Sequence, residues 1–360
     1  MMLPDKQKGS RSNMNKKENL LRTYKFQYPE KIPVRLNINK SSWDYYDPEK
    51  LENLILDHKI LLPNYEKGDY KSISYPPWQI KGQKYEDSWG CIWETDANGV
   101  TGTVVEHPLE KWDNLEEYNP PDPEKQEGWG EINWENIINN IKSSKSKNKF
   151  IKLGLRHGFF FLTLTYIRGY ENIIYDMYDG NENLDHLIEM VKNFNLEIVK
   201  RYIDLNVDMI RYPEDLGSQN SPLVSPKHFK KYIKPAYKSL MQPAKENNML
   251  VHMHSDGYIM DLMDDLIECG VDIISPQDLV NGIDNLKEYK GRICIDLDID
   301  RQNITPNGTP QEIDDLIKEE VIKLGSEEGG LLLKYEILPR VPYENLKAVM
   351  DALVKYSSYY

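Results

Sequence analysis

Met249-Leu250-Val251-His252-Met253-His254, followed directly by Ser255-Asp256-Gly257, is the stretch that decides how this chain is read. Read as a β-strand, it alternates sides with a period of two. His252, His254 and Asp256 then project one way, and Val251 and Met253 the other. A strand with an apolar body and polar groups gathered at its C-terminal end fits a parallel sheet covered by helices, where function collects at strand ends. Working outward, strands are expected at 150–155, 208–212, 249–254, 272–275, 292–296 and 329–335. Stretches with helical apolar spacing lie between most of them, clearest at 184–205 and 259–269. Gly270 stands where a glycine commonly follows the end of a helix. Strand-helix alternation of this kind predicts an α/β fold with a parallel sheet inside a helical layer.

The polar residues after the strands carry the functional reading. Glu214 and Asp215 follow one, and His252, His254 and Asp256 end the next. Gln277 and Asp278, then Asp296, Asp298 and Asp300, and finally Lys334, Tyr335 and Glu336 follow the others. Any single loop of this kind is explained by helix capping; five together form a polar ring and favour a site. Two imidazoles and a carboxylate on one strand end can ligate a divalent metal or act as acid, base and orienting partner. Arg156-His157-Gly158, after the first of these strands, is placed to hold an anion. Trp89-Gly90-Cys91-Ile92-Trp93 reads as the core of a hairpin, and Cys91 has no adjacent base in the sequence.

Composition bounds the rest. The 360 residues are 39% hydrophobic and 29% charged, a globular balance, and the net charge is −13. That charge argues against nucleic acid and anionic lipid, both of which require a basic surface, and leaves a small molecule or a protein as partner. The apolar stretch 159–167 is too short to span a bilayer. Residues 1–19 lack the apolar core of an export signal. Cys91, Cys269 and Cys294 are too scattered for a disulfide framework, which points to a reducing, cytoplasmic setting. Residues 1–30 are expected to be a polar, disordered tail. Residues 31–360 are expected to form one domain, with an irregular, hairpin-containing elaboration over 31–148 and the strand-helix repeats over 149–360. Asn119-Pro120-Pro121-Asp122-Pro123 marks a connector.

A series of motifs resembles the uroporphyrinogen decarboxylase-like superfamily. In order they are Asp215-Leu216-Gly217-Ser218, Ser221-Pro222-Leu223-Val224-Ser225-Pro226, His254-Ser255-Asp256-Gly257, Ile299-Asp300-Arg301-Gln302, Gly308-Thr309-Pro310 and Val341-Pro342-Tyr343-Glu344-Asn345. The resemblance implies a (β/α)8 TIM barrel and one of two chemistries. Uroporphyrinogen decarboxylases act without metal and grip a polycarboxylate through arginines after a Pro-Val pair. Here that place reads Pro33-Val34-Arg35-Leu36-Asn37-Ile38-Asn39, without the arginine pair, and an acidic ring would repel such a substrate.

The other branch is similar to cobalamin-dependent methyltransferases, which use a zinc held by a His-x-Cys pair and a later Cys. By that resemblance His254 matches the histidine, Asp256 stands for the first cysteine, and Tyr335 or Glu336 falls at the second. The resemblance thus implies Zn²⁺ on His254, Asp256 and Glu336, with methylcobalamin on a corrinoid-binding partner protein as co-substrate and a small nucleophile such as a thiol as acceptor. His252, Asp215 and Asp300 are the expected catalytic groups, and Gln277, Arg156 and Tyr335 the expected substrate contacts. The alternatives are a metal-free carboxy-lyase, with Asp215 or Asp300 stabilising the reacting ring, and a non-catalytic barrel binding a corrinoid or tetrapyrrole.

Overall fold

The structure, a computed structural model, describes residues 14–359. A parallel sheet is assembled from β1 (Val34–Ile38), β5 (Lys152–Gly154), β6 (Met209–Asp215), β7 (Leu250–Asp256), β8 (Ile273–Pro276), β9 (Cys294–Asp298) and β10 (Leu331–Ile337). Their spatial order is β1-β10-β9-β8-β7-β6-β5, a curled half-barrel wrapped by helices. All six expected strands are present. Seven strands pair among the described residues, with β1 and β5 left as the two edges of the sheet, an arrangement consistent with the expected TIM-barrel-like fold. β1 itself falls in the stretch expected to be irregular and pairs in parallel with β10, Leu36 opposite Tyr335.

Helices cover the outer face of the sheet. Glu182–Asp204 buries Leu184, Leu187, Val191, Phe194 and Ile198 on one stripe, the spacing that makes a helix amphipathic. Each such side chain contributes roughly 1.5–3 kcal/mol on burial. The hairpin region forms a separate antiparallel sheet of β2 (Tyr85–Glu86), β3 (Ile92–Glu94) and β4 (Thr103–Glu106). It is held to the barrel through Asp87. That carboxylate accepts from the backbone N–H groups of Trp89 and Cys91 and from Trp93 Nε1, each at 2.9 Å, and from Arg156 at 2.8 Å.

The register places alternate residues of neighbouring strands on the same side of the sheet, so the interior is built in layers. The floor is apolar: Met209, Leu250, Ile273, Cys294 and Leu332 pack against Leu20, Leu21, Tyr24, Phe26 and Phe150. The helix Lys16–Tyr24 supplies three of these and closes the N-terminal end of the barrel. Asn15 caps it by accepting from Glu18 N–H, and Lys17 pairs with Asp208 at 2.9 Å. The expected polar tail is corrected accordingly from Lys16 onward; residues 1–13 lie outside the described residues. The apolar stripe of this helix is only a few residues long, and it orders because a ready-made apolar floor receives it.

Glu320 on the helix Pro310–Leu324 is fully buried and faces Asp278. Burial pushes Asp278 up to about 6, and burial together with the neighbouring Asp278 carboxyl pushes Glu320 well above its ordinary value. The folded chain therefore keeps protons that the unfolded chain releases, and stability falls as pH rises from the unfolded carboxyl values through the folded ones. Glu320→Gln retains the shape without the charge. It is expected to add on the order of 1–3 kcal/mol at pH 8 and little at pH 4. Urea unfolding at both pH values checks this; an equal change at each would contradict it.

Candidate active site

Above the apolar floor the interior becomes charged. β7 brings His254 and Asp256 to the C-terminal mouth, as the period-two reading requires. His254 Nδ1 lies 2.9 Å from the carbonyl of Ser275 and donates to it as Nδ1–H. Its Nε2 is thereby turned toward the mouth, 3.3 Å from Asp256 Oδ1. A ring nitrogen tied to a carbonyl, with the other left facing carboxylates, is the usual posture of a metal-ligating histidine.

Two groups of potential ligand atoms converge on His254, each within 4.8 Å: His157 with Asp215, and Asp256 with Asp298. They differ in their surroundings. Asp298 is fully buried and holds Lys334 Nζ at 2.6 Å. Arg301 reaches Asp298 at 3.1 Å and Asp256 at 3.2 Å, so that group already contains its cations. In the other group, His157 Nε2 lies 3.4 Å from Asp215 Oδ1, and among the described residues no lysine or arginine is paired with either. Burial opposes charge on His157, but Asp215, Glu214 and Asp256 outweigh it and hold the imidazole above its ordinary value. On Asp256, too, burial is outweighed, by His254, Arg301 and Lys334, which keep its carboxyl well below the usual range. The mouth is thus a place that draws in cations.

The loops after β6 and β7 are locked together, which fixes Asp215 and Asp256. Asp256 N–H donates to Asp215 Oδ1 at 3.0 Å, and Gly217 N–H to the Asp256 carbonyl at 3.2 Å. Gly257 has φ +78°, and a Cβ there would stand 2.0 Å from the Gly217 carbonyl oxygen, so only glycine fits this crossing.

A family model described as uroporphyrinogen decarboxylase (URO-D) matches residues 92–356. The chain belongs to the URO-D family. No curated protein matches it. Among solved structures, this URO-D chain is similar to a methyltransferase from Methanosarcina mazei, with 19% identity and a TM-score of 0.64, over 94% of this chain and 98% of that one. It is also similar to an endo-beta-1,4-xylanase from Gloeophyllum trabeum, with 10% identity and a TM-score of 0.39, over 62% and 81%. A dihydropteroate synthase from Xanthomonas albilineans gives 12% identity and a TM-score of 0.28, over 39% and 52%.

The URO-D motifs themselves are mostly devoted to holding the mouth in shape. Asp300 accepts from the backbone N–H groups of Gln302, Asn303, Ile304 and Thr305, so its oxygens are committed to its own loop rather than to a substrate. Asn345 donates to the carbonyls of Thr305 and Gly308 and ties that loop to the last helix. Gln277 accepts from Gly257 N–H at 2.8 Å and is buried behind the turn.

Other expected site residues lie elsewhere. Arg156 is buried against Asp87, with its guanidinium 4.0 Å from the centre of the Trp129 ring, and anchors the hairpin sheet. Tyr335 occupies the alternate register and is fully buried on the helix side of β10. His252 lies one layer below the mouth, paired with Asp296 at 2.8 Å, and burial pushes it down to about 4. Glu336 faces Arg301 at 3.6 Å and does not join His254 and Asp256 in one group, which corrects the expected ligand trio. The reason is Arg301, whose guanidinium reaches both Asp256 and Glu336.

The structure adds His157, Asp298 and Arg301 to the site. His157 sits beside the strand-end arginine in the sequence. Asp298 follows Asp296 at the spacing that repeats one face of a strand. Both signals were present in the sequence; what ranks them is the arrangement of neighbouring cations.

Proposed function

We propose that this URO-D-family chain is a methyltransferase that moves a methyl group between a corrinoid on a partner protein and a small nucleophile, at a divalent metal held by His157, Asp215 and His254. The observation that carries the reading is the convergence of two imidazoles and one carboxylate on a point where, among the described residues, no lysine or arginine pairs with them. Two nitrogen donors and one oxygen donor suit zinc or a similar ion with an open position. Cys91, Cys269 and Cys294 are all buried and none belongs to either ligand group, so the donor set is harder than a thiolate site. When bound, the metal supplies a lowered pKa for a coordinated thiol or water.

The remaining residues position and bias this centre. Ser275 fixes the His254 ring through its carbonyl, and the Gly217–Gly257 crossing fixes Asp215. Arg301 and Lys334 neutralise Asp256 and Asp298 and keep them from competing for the ion. The decarboxylase alternative fits less well. A polycarboxylate would meet Asp215, Asp256 and Glu336 at the mouth, and the Arg301 guanidinium is already divided among carboxylates.

The test is methylcobalamin with a panel of small thiols, using metal-stripped and Zn²⁺-reloaded protein and following the loss of the methylcobalamin spectrum. Turnover that requires the metal is expected, with no CO2 released from uroporphyrinogen. Equal turnover without metal, or CO2 release, would overturn the reading.

A further inference from the structure

Exposure inside the barrel is lopsided. Below the mouth, the interior-facing residues of β7 to β10 are buried: Leu250, His252 and His254; Ile273 and Ser275; Cys294, Asp296 and Asp298; Leu332 and Lys334. On the other side the pattern reverses. Interior-facing Lys152, Gly154 and Asn37 are exposed, and Arg35, Arg211, Pro213 and Asp215 are half-buried. The outward-facing Leu36, Ile210, Tyr212 and Glu214 on the same strands are buried. Exposed residues on the inner face of a curled sheet, closed at its floor by packed side chains, mean that solvent enters there. A wet channel therefore follows the seam where β1 and β5 do not pair, from Asp215 and His157 down to Lys152, Arg35 and Arg211.

The inner end of this channel has more cations than anions. Arg35 and His252 share Oδ2 of Asp296, each at 2.8 Å. Among the described residues, the side chains of Arg211 and Lys152 have no hydrogen-bond or ion-pair partner. Arg211 Nε, Arg35 Nε, His252 Nδ1 and Ser275 Oγ are buried without one. Gly154 leaves room for this arrangement, since a Cβ there would stand 3.2 Å from the Cβ of Arg211. Enclosed donors left unmet are costly, and a guanidinium offers five N–H groups in a fork matched to oxyanions.

We propose that Arg211, Lys152 and Arg35 bind the carboxylate of the small-molecule substrate at the inner end of this channel. Which end of that substrate reacts rests on the metal reading above; the anion site itself does not. Arg211 and Asp215 are four residues apart on β6, about 13 Å of strand, and the reach of the arginine shortens that span. A nucleophile a few carbons from its carboxylate fits between the mouth and the inner end.

The test is calorimetric titration with propionate and with 3-mercaptopropionate, on wild type, Arg211→Gln, Lys152→Gln and His254→Ala, with circular dichroism to confirm folding. Propionate is expected to bind wild type and His254→Ala alike, and each of the two channel variants at least tenfold more weakly. 3-Mercaptopropionate is expected to lose affinity in all three variants. Propionate binding that is absent in folded wild type, or indifferent to both channel substitutions, overturns the proposal. If propionate behaves as expected and His254→Ala leaves 3-mercaptopropionate unaffected, the anion site stands and the metal reading fails.

Discussion

Replacing Asp87 by alanine is expected to lower the unfolding free energy by about 3–5 kcal/mol, the cost of stranding one partner of a buried ion pair. The carboxylate is fully enclosed and meets three N–H donors of its own loop besides Arg156. Its loss leaves a guanidinium, 3% exposed and packed on Trp129, without its paired carboxylate. Arg156→Ala strands the carboxylate instead and is expected to cost a similar amount. The double substitution is expected to cost clearly less than the sum, because each single change already breaks the shared contact. Urea unfolding of the three variants checks this. A loss under 1 kcal/mol for Arg156→Ala, together with a raised KM, would return Arg156 to the substrate site where the sequence reading had placed it.

His254→Ala is expected to abolish turnover, by about a hundredfold or more. His254 belongs to both convergent ligand groups, so no rearrangement of the neighbouring carboxylates replaces it. His157→Ala is expected to lower activity with the loss of metal affinity. Glu336→Gln is expected to leave metal binding close to wild type, since its carboxylate answers to Arg301 and Asn39. Rates measured at saturating Zn²⁺ and at limiting Zn²⁺ separate loss of the ion from loss of the reaction. Wild-type activity in His254→Ala would remove the mechanism.

The strand-helix alternation was legible because the bodies of β6 to β10 carry apolar residues on their outward faces, while polar or charged groups gather at or just after each C-terminal end. β1 was not. Its five residues lie among prolines and aromatics, its interior-facing positions are Arg35 and Asn37, and its partner β10 is about 300 residues away in the chain. The pairing of His254 with Asp256 followed directly from the period of a strand. Their third partner did not, because spacing cannot show that an arginine from the next loop would reach between Asp256 and Glu336. Asp300 was over-read for a related reason: a loop aspartate looks the same in sequence whether it faces a substrate or the four N–H groups of its own turn. The polar N-terminal stretch hid a helix because its apolar contacts lie on the barrel floor, supplied by five strands distant in sequence.

The central claim is tested most directly by elemental analysis of metal in chain purified without chelator and reloaded with Zn²⁺. Stoichiometric metal is expected in wild type and Glu336→Gln, and its loss in His254→Ala and His157→Ala. Metal retained by His254→Ala, or absent from every form, would contradict the account.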